Sequence, residues 1–185
     1  NAGTITVSDT TGTPLGNGSL GSNVTVNTGA VLSIAQRYGS YSGTIILNGG
    51  QITVPTGASF TRLYSPIVLT ANSTFHASSG GGGITGMTSN TINLNTHTLT
   101  CTGAGVGHLG IISGTGSIVI SNGAARNFSG NNTYTGGTII NGNVVALHGN
   151  AFGTGTITVN ASGTLNMNGF VITNTIVNNG GTIIP

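Results

Sequence analysis

The chain has 185 residues, of which only 2% are charged; Gly contributes 34 and Trp none. Three Arg (Arg37, Arg62, Arg126), one Asp (Asp9) and no Lys or Glu leave a net charge of +2, where an average protein has about 25% charged residues. This excludes two-carboxylate glycoside hydrolysis, a lysine-bearing phosphate loop and the basic footprint of a nucleic-acid binder, while a mean hydropathy of +0.27 argues against disorder.

In chain order, short segments alternate apolar with Thr, Ser or Asn at 4–7, 23–26, 31–34, 44–47 and 51–54. They resume at 91–94, 97–100, 117–120, 156–159 and 164–167. Alternation with period two predicts strands. Asn48-Gly49, Asn122-Gly123, Asn141-Gly142 and Asn168-Gly169 punctuate them as turns that accept positive φ. Gly80 to Gly83 reads as a loop bulging from the body. No segment carries a helical pattern, because Gly, Thr, Asn and Ser recur too often. No apolar run approaches the length of a membrane helix, so no membrane insertion is expected.

Internal similarity narrows the all-β options. Residues 15–32 and 152–165 follow one plan, in which a Gly-x-Gly turn feeds an alternating strand and a second Gly turn starts another. Residues 114–120 give a partial third copy. This is the grammar of a parallel β-solenoid: inward Ile, Val and Leu stack into a narrow core, and outward Thr, Ser and Asn stay wet. Three short strands per coil would use roughly 20–25 residues, which predicts about eight coils rising about 4.8 Å each. A single domain over 1–185 is expected.

The run Ser129-Gly130-Asn131-Asn132-Thr133-Tyr134-Thr135-Gly136-Gly137-Thr138-Ile139-Ile140-Asn141 resembles the autotransporter-associated β-strand repeat, also called the passenger-associated transport repeat. Val144 to Gly155 and Ile112 to Gly116 fit the same pattern. The resemblance is good over 111–170 and looser over 15–34 and 67–100. It implies a right-handed parallel β-helix on the outside of a bacterial cell, an adhesin or a structural fibre with no catalytic residues. The chain lacks the family's outer-membrane barrel segment and begins at Asn1 rather than Met. Both features fit a processed or separately exported piece.

Few residues carry chemistry. Cys101 has no partner for an internal disulfide and reads as a buried apolar residue. His76, His97, His108 and His148 are the remaining metal-ligand candidates. His76 and His97 lie near one coil apart, yet surface or turn roles fit all four better, and no metal or cofactor is expected. Arg37 with Tyr38 and Tyr41, and Arg62 with Phe60 and Tyr64, form Arg–aromatic neighbourhoods suited to a glycan or partner contact. Packing of a loop is the simpler role. Thr-x-Thr pairs raise an ice-binding ladder as a minor reading, although their spacing is irregular.

Both ends keep strand grammar. Thr4, Ile5, Thr6 and Val7 at one end, and Ile176, Val177, Thr182, Ile183 and Ile184 at the other, are the candidate stacking residues. The expectation is a non-enzymatic, extracellular or cell-surface subunit whose partner is itself, in a head-to-tail homopolymer. The alternative is an adhesin-like module binding glycan or a cell surface.

Overall fold

A computed structural model describes residues 3–7, 23–34, 43–57, 63, 65–78 and 91–185, with the side chains of Ile5, Thr6 and Val7 outside that description. The residues Arg37, Tyr38, Tyr41, Arg62 and Tyr64, the 80–83 loop and Asp9 lie outside it as well. Every element described is a strand. In chain order these are β1 (Thr4–Val7), β2 (Val24–Asn27), β3 (Val31–Ile34), β4 (Ile45–Asn48), β5 (Gln51–Val54), β6 (Ile67–Ala71) and β7 (Ser73–Ala77). There follow β8 (Thr91–Asn93), β9 (Leu99–Thr102), β10 (Val106–Leu109), β11 (Ile111–Ser113), β12 (Ile118–Ile120) and β13 (Ala125–Phe128). The chain closes with β14 (Thr138–Ile140), β15 (Asn143–Ala146), β16 (Ile157–Asn160), β17 (Thr164–Asn166), β18 (Ile176–Asn179) and β19 (Thr182–Ile184).

The strands form a parallel β-solenoid. One nine-stranded sheet, β1-β3-β5-β7-β9-β12-β14-β16-β18, runs the length of the molecule. Its nine rungs bound eight coil-to-coil steps, in line with the expected coil number. A second wall, β2-β4-β6-β8-β11, accompanies the N-terminal part, and a third, β10-β13-β15-β17-β19, the C-terminal part. From β9 onward the register pairs Leu99 with Ile118, Ile118 with Thr138, Thr138 with Ile157 and Ile157 with Ile176. A coil here takes 19 or 20 residues. Earlier coils vary more, from the pairing Val31 with Gln51, as short as these, to the longer Thr4 with Val31 and Thr74 with Thr100.

Stacking identical positions makes the core a set of columns. In the long sheet Leu32, Ile52, Phe75, Cys101, Ile120, Ile140 and Val159 lie one above another, each at most 2% exposed. Alternation then sends Ser33, Thr53, His76 and Thr102 outward. All ten strands read from the sequence are present, with ends shifted by one or two residues. Four of the strands not foreseen, β7, β10, β13 and β14, put a residue that is not aliphatic at an inward position. Gly107 and Arg126 face inward on β10 and β13, Ser73 on β7 and Thr138 on β14.

The turns behave as expected at Gly49, Gly123 and the pair Asn168-Gly169, all with positive φ. Asn141-Gly142 does not use positive φ. Its glycine is needed for space, since a Cβ there would press on the carbonyl oxygens of Ala124 and Ser121 in the coil below. The register also disperses the Thr pairs. Along the long sheet, among the residues whose side chains are described, Thr occupies both outward positions only at Thr100/Thr102. Val31, Val119, Ile139 and Val177 interrupt the first outward column. A flat Thr ladder is therefore not built.

Candidate functional site

The segment that carries the sequence resemblance shows why its residues are needed. Beyond β11 the second wall loses strand regularity, and Asn132 and Tyr134 replace it from inside. Asn132 is 3% exposed; its Oδ1 accepts from the Ile112 amide at 2.7 Å and its Nδ2 donates to the Ala151 carbonyl in the coil above. Tyr134 is fully buried, with its hydroxyl 2.5 Å from Thr138 Oγ1. Burial pushes its phenol well above the ordinary range, more than the Thr138 bond pulls it down. Higher still, Asn174 Nδ2 donates to the carbonyls of Phe152, Gly153 and Gly155.

Outside this wall, Asn131, Thr133, Asn150, Thr154, Thr173 and Asn174 border a groove of about 310 Å³. Asn150 Nδ2 donates to Asn131 Oδ1 at 2.9 Å, which ties two coils together. The Thr133, Thr154 and Thr173 side chains are exposed.

The end faces differ from the middle. Ile176 and Ile183 point toward the core but are only half-buried, as are Met167 and Ile172 beside them. Their counterparts one coil below, Ile157 and Leu165, are 0% exposed. Val177, Thr182 and Ile184 point sideways into solvent, Val177 and Ile184 each 43% exposed. The column above Val159 ends on Asn178, whose Oδ1 accepts from the Gly181 amide and whose Nδ2 donates to the Gly181 carbonyl. A polar side chain thus closes one column, while the neighbouring apolar columns stay open. An amide ladder rises to the same face: Asn160 Nδ2 donates to Asn141 Oδ1 and Asn179 Nδ2 to Asn160 Oδ1. At the opposite end Thr4 is exposed, and a cavity of about 200 Å³ is lined by Thr4, Val26, Ala30 and Leu32 among others.

Inside, Arg126 is a charged side chain within the core. It is 1% exposed and occupies a core column of the third wall. Below it stands Gly107, whose missing side chain leaves the slot through which Arg126 descends. The guanidinium lies 4.9 Å from the Phe75 ring centroid and donates to the carbonyls of Gly105, Thr102 and Phe75. Nearby, Cys101 is free and buried; burial raises its thiol pKa, and the Arg126 charge opposes this more weakly.

The histidines do not converge. The register sets Thr102, not His97, opposite His76. His76 Nδ1 lies 3.0 Å from Thr102 Oγ1, and its Nε2 3.2 Å from Ser78 Oγ. This order imitates a nucleophile, a base and an orienting group. A neutral hydroxyl, however, lacks the charge that stabilises an imidazolium, and the cluster clamps two rungs. Among the described residues no three His, Cys, Asp or Glu gather to hold a metal, and no helix is long and apolar enough to cross a membrane.

His108 carries the pH dependence that burial implies. Its Nδ1 is buried without a partner, Asn127 Nδ2 sits 3.3 Å from Nε2, and desolvation lowers its pKa below 6.5. The unfolded chain therefore takes up a proton first as pH falls, so stability should drop below about pH 6.5 until the folded pKa is reached. Melting curves from pH 7.5 to 5 should show this loss, and His108→Gln should flatten it. An unchanged slope in the variant would assign the loss elsewhere.

No protein-family model, curated protein or solved structure matches the chain. Fold and composition together define a class: a parallel β-solenoid with nearly uncharged walls.

Proposed function

We propose that the chain is a non-catalytic structural subunit that stacks end to end with copies of itself into an extracellular or cell-surface filament. The observation that carries this reading is the end face at β18 and β19. There Ile176 and Ile183 continue columns that are fully buried one coil earlier, at Ile157 and Leu165. Covering them with another rung would remove apolar area from water and pair the open strand edges. The head-to-tail contact is heterologous and does not close on itself, so it propagates. A surface with so few charges suits an assembly better than a crowded solution of monomers. Membership of the autotransporter-associated repeat family belongs to this proposal, supported by the structural roles of Asn132, Tyr134 and Thr138 in the matching run.

Negative-stain electron microscopy of the purified chain tests it. Unbranched threads with an axial repeat near 40 Å are expected, about eight coils at about 4.8 Å each. Ile176→Lys and Ile183→Lys should shorten them to single rods without loss of β-sheet signal. Lone rods from the unaltered chain at high concentration would overturn the reading.

A further inference from the structure

We infer that the groove along the second side of the C-terminal coils binds an uncharged polysaccharide lying parallel to the solenoid axis. The groove's volume of about 310 Å³ falls in the range of small-ligand sites, roughly 300–1,000 Å³. Its floor is held before any ligand arrives. Asn174 Nδ2 is committed to three backbone carbonyls, and the buried Asn132 spans from the Ile112 amide to the Ala151 carbonyl. Fixed walls reduce the ordering cost of binding.

The rim offers what a sugar needs. The side chains of Thr133, Thr154 and Thr173 are exposed, one on each of three successive turns, with Thr154 set above Thr135 rather than Thr133. A coil rises about 4.8 Å, close to the length of one pyranose ring in an extended chain. The Asn131 and Asn150 amides, joined to each other by a single bond, keep further donor and acceptor capacity toward the groove. The chemistry also selects against other ligands. The only charged side chain among the described residues is Arg126, which is buried, so nothing at the groove pairs an anionic polymer. The lining has no aromatic ring or large aliphatic side chain for a lipid or apolar ligand. A neutral chain dense in hydroxyls is the ligand class left. Each contact exchanges bonds with water, so one groove would bind weakly, with Kd of order mM. Display of many copies would raise the avidity. The inference stands whether or not the subunits stack.

Affinity electrophoresis and heteronuclear NMR titration with cellohexaose, mannohexaose and chitohexaose test it, with polygalacturonate as the charged control. At least one neutral hexasaccharide should bind and shift the Thr133, Thr154 and Thr173 resonances. Thr154→Arg, which blocks the groove, and Thr133→Val, which removes one hydroxyl, should weaken it tenfold or more and about threefold. Both side chains are exposed, so the melting temperature should hold. Absence of binding by all three neutral probes, preference for polygalacturonate, or binding that both variants leave intact would overturn the assignment.

Discussion

Arg126→Met should lower stability by about 3 kcal/mol, seen as a fall in melting temperature of roughly 10 °C. The substitution keeps most of the apolar stem and removes the guanidinium. Two terms oppose each other. Burying an unpaired cation costs several kcal/mol, and the variant recovers that cost. Against it stand the carbonyls of Gly105, Thr102 and Phe75, which receive Arg126 and lie inside the coil. Each buried acceptor left without a donor costs about 1–3 kcal/mol, and the contact with the Phe75 ring adds to the loss. The acceptor terms win because they are several, although the buried Nε, which has no partner, adds to the cost that the variant recovers. Arg126→Lys should recover only part of the loss, since an ammonium has three donors and no flat face for the ring. Thermal and urea melts of both variants decide it. A Met variant as stable as the parent would show that desolvation outweighs the carbonyl bonds.

The same residue shows where the sequence stops being readable. β3 and β5 are legible because Leu32, Ile34, Ile52 and Val54 alternate with polar residues. β13, with Arg126 and Phe128 inward, is not, because an Arg in a Gly- and Asn-rich chain reads as surface. A usable signal existed: Gly107 lies one coil before Arg126, a pairing that becomes visible only once the coil length is known. The end face was partly legible. Strand grammar at 176–184 marks Ile176 and Ile183, whereas Ile172 stands outside any strand and Met167, at the end of an expected strand, carries no sign of the end face. Asn178 was hidden because only register places it in a core column. The groove left no trace in the pattern. Exposed Thr and Asn occur throughout the chain, and concavity arises only where the second wall gives up its strands above β11.

Gly116→Ala should destabilise by about 3 kcal/mol or more, whereas Gly123→Ala should cost about 1–2 kcal/mol. The two glycines are needed for opposite reasons. Gly123 has φ +75 and open space where a Cβ would stand, so only the left-handed backbone resists a side chain. Gly116 has no such φ, but it is buried, and a Cβ would be driven into the His97 carbonyl oxygen with the His97 amide nitrogen 2.8 Å away. Backbone cannot rotate aside as a side chain can. Relief requires parting two coils whose register is held by the Ser117 amide on the same carbonyl and by Thr98 Oγ1 against Ser117 Oγ at 2.9 Å. The corner is stacked further, since a Cβ on Gly136 in the next coil would meet the Gly116 carbonyl. Strain introduced at Gly116 therefore travels up the axis toward the coils that form the groove. Hydrogen exchange should show it: Gly116→Ala should open amides in 111–140, while Gly123→Ala should leave their protection near the parent's. Equal costs for the two substitutions would mean that the coils part more easily than close backbone packing allows.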